Sequence, residues 1–67
     1  MMDTYFWRLS AILADDTVVS LTVGGEWFSG TESEAEWAAR ARAMNMENVD
    51  RLVLERPGFR RTVFGWF

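Results

Sequence analysis

Residues 4–23 read TYFWRLSAILADDTVVSLTV, and how this stretch pairs with itself decides the fold. Tyr5, Trp7, Leu9, Ala11 and Leu13 alternate with Thr4, Arg8 and Ser10. Val19, Leu21 and Val23 alternate with Val18, Ser20 and Thr22. A period of two marks half-buried strands. The intervening Asp15-Asp16-Thr17 favours a turn, because Asp side chains hydrogen-bond nearby backbone. A three-residue loop that pairs Ala14 with Val18 sets Leu13 opposite Val19, Ala11 opposite Leu21 and Leu9 opposite Val23. Trp7 then faces Gly25 and Tyr5 faces Trp27, so every large apolar residue shares one face. A two-residue loop would set Val19 opposite Ile12 and Leu21 opposite Ser10. A slip of one residue turns a strand over, so this mixing of faces argues for the three-residue loop.

Downstream, GGEWFSGTESEAEW ends the strand and begins a helix. Ser33 and Glu36 form a capping box, and Thr31 and Glu34 form a competing one. Glu32, Glu34 and Glu36 lie at the helix start and Arg40 and Arg42 towards its end, as the helix dipole favours. Glu36 and Arg40 stand four apart in the better orientation. A helix is expected at about 32–46. Its buried stripe is read as Trp37, Ala41 and Met44 with Ala38 beside them, and its solvated face as Glu36, Arg40, Ala43 and Glu47.

The remainder, NVDRLVLERPGFRRTVFGWF, reads as a second hairpin. Val49 to Arg56 is β-prone, and Pro57-Gly58 suits a type II turn. The tightest hairpins use other turn types, so a slightly longer loop is expected. Leu52 and Leu54 fall on one face, with Val49, Arg51 and Val53 on the other. Val63 and Phe67 fall on one face of the last strand, with Phe64 and Trp66 on the other. The fold class that follows is α+β, a single domain at 1–67 in the order ββαββ. Strands at about 4–14, 18–28, 49–56 and 59–67 form a four-stranded antiparallel sheet with one helix packed on one face.

Composition narrows the chemistry. Sixty-seven residues bury too little surface for a deep cleft. The chain has neither Cys nor His. Disulfides are therefore excluded, and any zinc site would be all carboxylate. The serines have no histidine or lysine to activate them. Asp15-Asp16 supplies too few converging oxygens for a cation and reads as a turn. The glycine-rich run before the helix lacks the spacing and lysine of a phosphate loop, and Glu32 and Glu34 would repel a phosphate there. No catalytic residue, cofactor, metal or small-molecule substrate is expected, and the chain reads as a non-enzyme.

The net charge of −3 argues against a grip on nucleic-acid phosphates or on an anionic membrane. No apolar run approaches a bilayer span, and the start lacks the basic segment of a signal peptide, so a cytoplasmic location is expected. Aromatic residues make up 15% of the chain, and all seven basic residues are Arg. Aromatics and Arg with little Lys are the composition of interface cores. A sheet apolar on both faces, with a helix covering only one, leaves a surface to be occupied. The candidate interaction surface is Phe6, Arg8, Arg60, Arg61, Phe64, Trp66 and Phe67. Its expected partner is a protein, or a second copy in a homodimer. The alternative is single-stranded nucleic acid, stacked on aromatic platforms with Arg around them.

In layout and Arg/Ala-rich composition, with turn and cap signals such as ADDT, GTESEAEW and RPGF, the chain resembles small orphan ββαββ proteins encoded by actinobacteria and their phages. The resemblance implies a regulatory or interaction role, acting by binding a host or phage protein in the host cytoplasm. It carries over no site residue.

Overall fold

The computed structural model describes residues 3–22 and 26–64. Strand β1 (Tyr5–Leu13) is followed by β2 (Val18–Ser20), β3 (Phe28–Gly30), helix α1 (Glu32–Ala43), β4 (Val49–Arg56) and β5 (Phe59–Val63). The class is α+β, and the described residues form one helix and an antiparallel sheet of five strands rather than four. The sheet order is β2-β1-β4-β5, with β3 also pairing β1.

The first turn has the expected length, placed one residue earlier. Leu13 N–H donates to the Thr17 carbonyl and Asp16 N–H to the Leu13 carbonyl. The loop is therefore Ala14-Asp15-Asp16, with Asp16 in the left-handed region at φ 69°. A three-residue hairpin loop of this kind ends on a left-handed residue, a conformation Asp tolerates. Ala14 does not pair with Val18, because its N–H points the other way and donates to the Asn48 carbonyl. Ile12 pairs with Val18, Ala11 with Val19 and Ser10 with Ser20. This differs from the expected register by two residues, an even step, so the apolar faces are preserved.

The expected strand at 18–28 is two short strands. If β2's register continued, Trp7 would face position 23. Instead it faces Phe28, and Tyr5 faces Gly30. Five extra residues are thus taken up between β2 and β3. The expected partners Val23 and Gly25 lie outside the described residues. Trp7 itself supplies a reason for the new register. Its ring is fully buried, and its Nε1–H donates to the Gly30 carbonyl at 2.8 Å. A Cβ on Gly30 would come within 2.9 Å of the Phe28 ring, so this glycine provides room that no other residue could.

Helix α1 is capped by Thr31 and Glu34, the competing box. Glu34 N–H donates to Thr31 Oγ1, and Thr31 N–H donates to the Glu34 carboxylate. The helix ends at Ala43 rather than near 46, and its buried side also differs from expectation. Ala35, Ala39 and Ala43 are buried, while Trp37 and Met44 are 74% and 64% exposed. The interior between helix and sheet is already filled by Trp7, so the helix turns its smallest side chains inward. The core joins these alanines to Trp7, Leu9, Ala11, Leu52, Leu54 and Val63.

The second hairpin is tighter than expected. Arg56 pairs with Phe59 across the two-residue loop Pro57-Gly58. Gly58 has φ 75°, the positive value a type II turn requires at that position. β4 lies between β1 and β5 and pairs Leu54 with Leu9 and Leu52 with Ala11.

Candidate functional site

Alternation along each strand assigns every sheet residue to the helix side or the open side. Arg8 of β1 faces Glu55 of β4, which faces Arg60 of β5. These three form one row across the open side. Arg8 and Arg60 are two inter-strand steps apart, about 10 Å. Phe6 precedes Arg8 on the same side and is 66% exposed. Phe64 follows β5 and is 68% exposed. The Arg8 guanidinium lies 4.7 Å from the centre of the Trp27 ring. Below the Arg8 row, Ser10 faces Val53, which faces Thr62, and there the sheet is nearly sealed. Val53 and Ile12 are buried on this side despite the absence of a covering helix.

Arg61 does not belong to that surface. It follows Val63 onto the helix side, and its guanidinium bridges two helix carboxylates. Nη1 lies 2.6 Å from Glu32 and Nη2 2.8 Å from Glu36. Glu36 also takes Arg40 at 3.3 Å. Arg61 therefore ties β5 to the first turn of α1. Phe6, Arg8, Arg60 and Phe64 share the open side, whereas Trp66 and Phe67 lie outside the described residues. Two exposed apolar residues, Trp37 and Met44, were assigned to the core by the sequence reading. Both fall on the side of the helix region away from the buried Ala35, Ala39 and Ala43.

Sequence reasoning missed Arg56. Its guanidinium lies 3.8 Å from the Tyr5 ring centre, 4.6 Å from Phe59 and 5.4 Å from Trp7. Trp7 in turn meets Tyr5 and Phe59 edge-on at 6.1 and 5.8 Å. The signal available was alternation, since Leu52, Leu54 and Arg56 share a face and Arg56 ends the apolar row.

Charge is unevenly placed. The open side carries Arg8, Arg51 and Arg60 against Glu55, while the acids Glu32, Glu34 and Glu36 belong to α1. Arg51 is paired with Asp50 at the 2.5 Å end of ion-pair distances. Among the described residues, Arg8 and Arg60 have no carboxylate within ion-pair distance. At the turn, hydrogen bonds from Thr17, through its side chain first and then its backbone N–H, hold the Asp15 carboxyl below its ordinary pKa.

Comparison with protein-family models, curated proteins and solved structures found no match to this chain. No helix among the described residues is long and apolar enough to cross a membrane.

Proposed function

We propose that this chain is a non-enzymatic interaction module, phage- or actinobacterium-encoded, that works by seating the open side of its sheet on a protein surface. The same surface joins two copies in a homodimer. One observation carries the reading. The side of the sheet away from the helix presents Phe6 and Phe64 two-thirds exposed, together with Arg8 and Arg60, which flank Glu55 and are within ion-pair distance of no described carboxylate. Exposed rings beside Arg are the chemistry of interface hot spots. Arg8 and Arg60 favour an acidic patch on a protein partner.

A second reading rests on Arg8 over Trp27, a stacked cation and ring of the kind that holds unpaired bases. A salt titration with a single-stranded oligonucleotide separates the two. Binding at low salt that falls steeply as salt rises supports nucleic acid. No binding at low salt removes that reading. The protein reading is tested by solution mass across micromolar to millimolar concentration, with Phe6→Ser/Phe64→Ser as the altered surface. A mass that rises to a dimer in the parent and not in the variant supports it, and a mass unaffected by the variant opposes it.

A further inference from the structure

β4 ends its pairing where Glu55 faces Arg8, so the first residues of β1 run on past the β4–β5 turn. This overhang leaves a recess of about 600 Å³ lined by Thr4, Tyr5, Phe6, Trp27, Arg56 and Pro57. Its size falls within the range of small-ligand pockets. Among the described lining residues, three are aromatic and none is acidic.

Arg56 is the charged group of this recess. Among the described residues it makes no ion pair, and its buried Nε–H finds no acceptor. The guanidinium is thus partly desolvated among three rings, with no described anion beside it. Aromatic faces offset the loss of water around a cation only in part, whereas a carboxylate matches the planar fork of donors. Arg8, stacked on the Trp27 wall, adds a second positive charge nearby.

The geometry points to a binding site for a carboxylate carried on an aromatic ring. The carboxylate meets the outer nitrogens of Arg56, and the ring takes the apolar walls of Phe6 and Trp27. A monocarboxylate suits a site lined by one guanidinium and the hydroxyls of Thr4 and Tyr5. The same chemistry can come from a free aromatic acid or from an aromatic residue beside Asp or Glu in a peptide. Phe6 also belongs to the proposed protein interface, so a bound acid and a protein partner compete for it.

The test is a ¹⁵N–¹H NMR titration of the intact chain with 3-phenylpropionate, its uncharged analogue 3-phenylpropanol, a blocked Phe-Asp peptide and a short oligothymidylate. Saturable shifts at Thr4, Tyr5, Phe6, the Trp27 indole and Arg56 Nε–H are expected with the carboxylates. The alcohol should bind at least about tenfold more weakly, because it leaves the charged donors unpaired. Saturation by phenylpropionate alone assigns a free acid, and tighter saturation by the peptide assigns a peptide source. Phe6→Ala, at an exposed position that leaves the fold intact, should weaken binding of either carboxylate. Arg56→Lys keeps the charge but loses the fork, and should weaken it further. Equal binding of acid and alcohol would overturn the proposal. So would the absence of saturable shifts, unchanged binding in both variants, or recess shifts produced by the oligonucleotide alone.

Discussion

Trp7 does more than any other side chain to set the packing. It fills the space between sheet and helix, meets Tyr5 and Phe59 edge-on, and binds the Gly30 carbonyl. Trp7→Phe keeps a ring but leaves that buried carbonyl without its donor. It should lower unfolding free energy in urea by about 1–3 kcal/mol. An unchanged midpoint would mean the indole bond contributes nothing. Gly30→Ala should destabilise by a similar amount, about 1–3 kcal/mol, because the new methyl meets the Phe28 ring and the capping carboxylate. Arg61 is a different case. It is partly exposed, so Arg61→Ala should cost no more than about 1 kcal/mol, and less at high salt. Asp15 titrates below its ordinary value because Thr17 hydrogen-bonds the charged form. Its contribution is therefore present above the unfolded-state pKa and is lost as pH falls through the lower folded-state value. A carboxyl-detected NMR titration should place its midpoint below that of an unstructured Asp.

The helix shows what a single sequence reveals and what it conceals. Its start was legible because acids, cap residues and a glycine converge there, although two overlapping boxes competed and Thr31 prevailed. Thr31→Ala should cost about 1 kcal/mol, whereas Ser33→Ala should be nearly neutral. Helix content against denaturant distinguishes them. Its buried side was not legible. Alanines stand at 35, 38, 39, 41 and 43, so more than one stripe is apolar, and the large Trp37 drew the reading towards the wrong one. Only the space left by Trp7 decides between them, and that is a property of the assembled molecule. Trp37→Ser should accordingly leave stability within about 0.5 kcal/mol, as expected for an exposed site. Ala39→Leu should cost about 1–3 kcal/mol by overpacking. The strands were legible through their period of two, and Leu9, Ala11, Leu52 and Leu54 occupy the face that pattern assigns. The break between β2 and β3 was not, because alternation continues through Leu21 while the pairing partner changes. Within the candidate surface, Arg60 and Arg61 looked equivalent as neighbours. A strand places neighbours on opposite faces, and the acids of α1 hold Arg61 on the helix side.

Across the described residues, one helix packs on one side of a five-stranded sheet, and the other side is exposed mainly at the Arg8 row and at Phe6 and Phe64. The helix meets the core through small alanines, and the large exposed rings fall elsewhere, at Phe6, Trp27, Trp37 and Phe64. Two surfaces therefore compete for the role of interface, the open sheet side and the outer side of α1. The open side combines rings with arginines that lack a close ion pair among the described residues, and the proposed binding role belongs to it. Sedimentation equilibrium compares the two directly, using the parent chain, Phe6→Ser/Phe64→Ser and Trp37→Ser under the same conditions. The account predicts a dimer for the parent and for Trp37→Ser, and a monomer for the open-side variant. A parent that stays monomeric at every concentration would contradict it, as would a dimer lost with Trp37→Ser and kept by Phe6→Ser/Phe64→Ser.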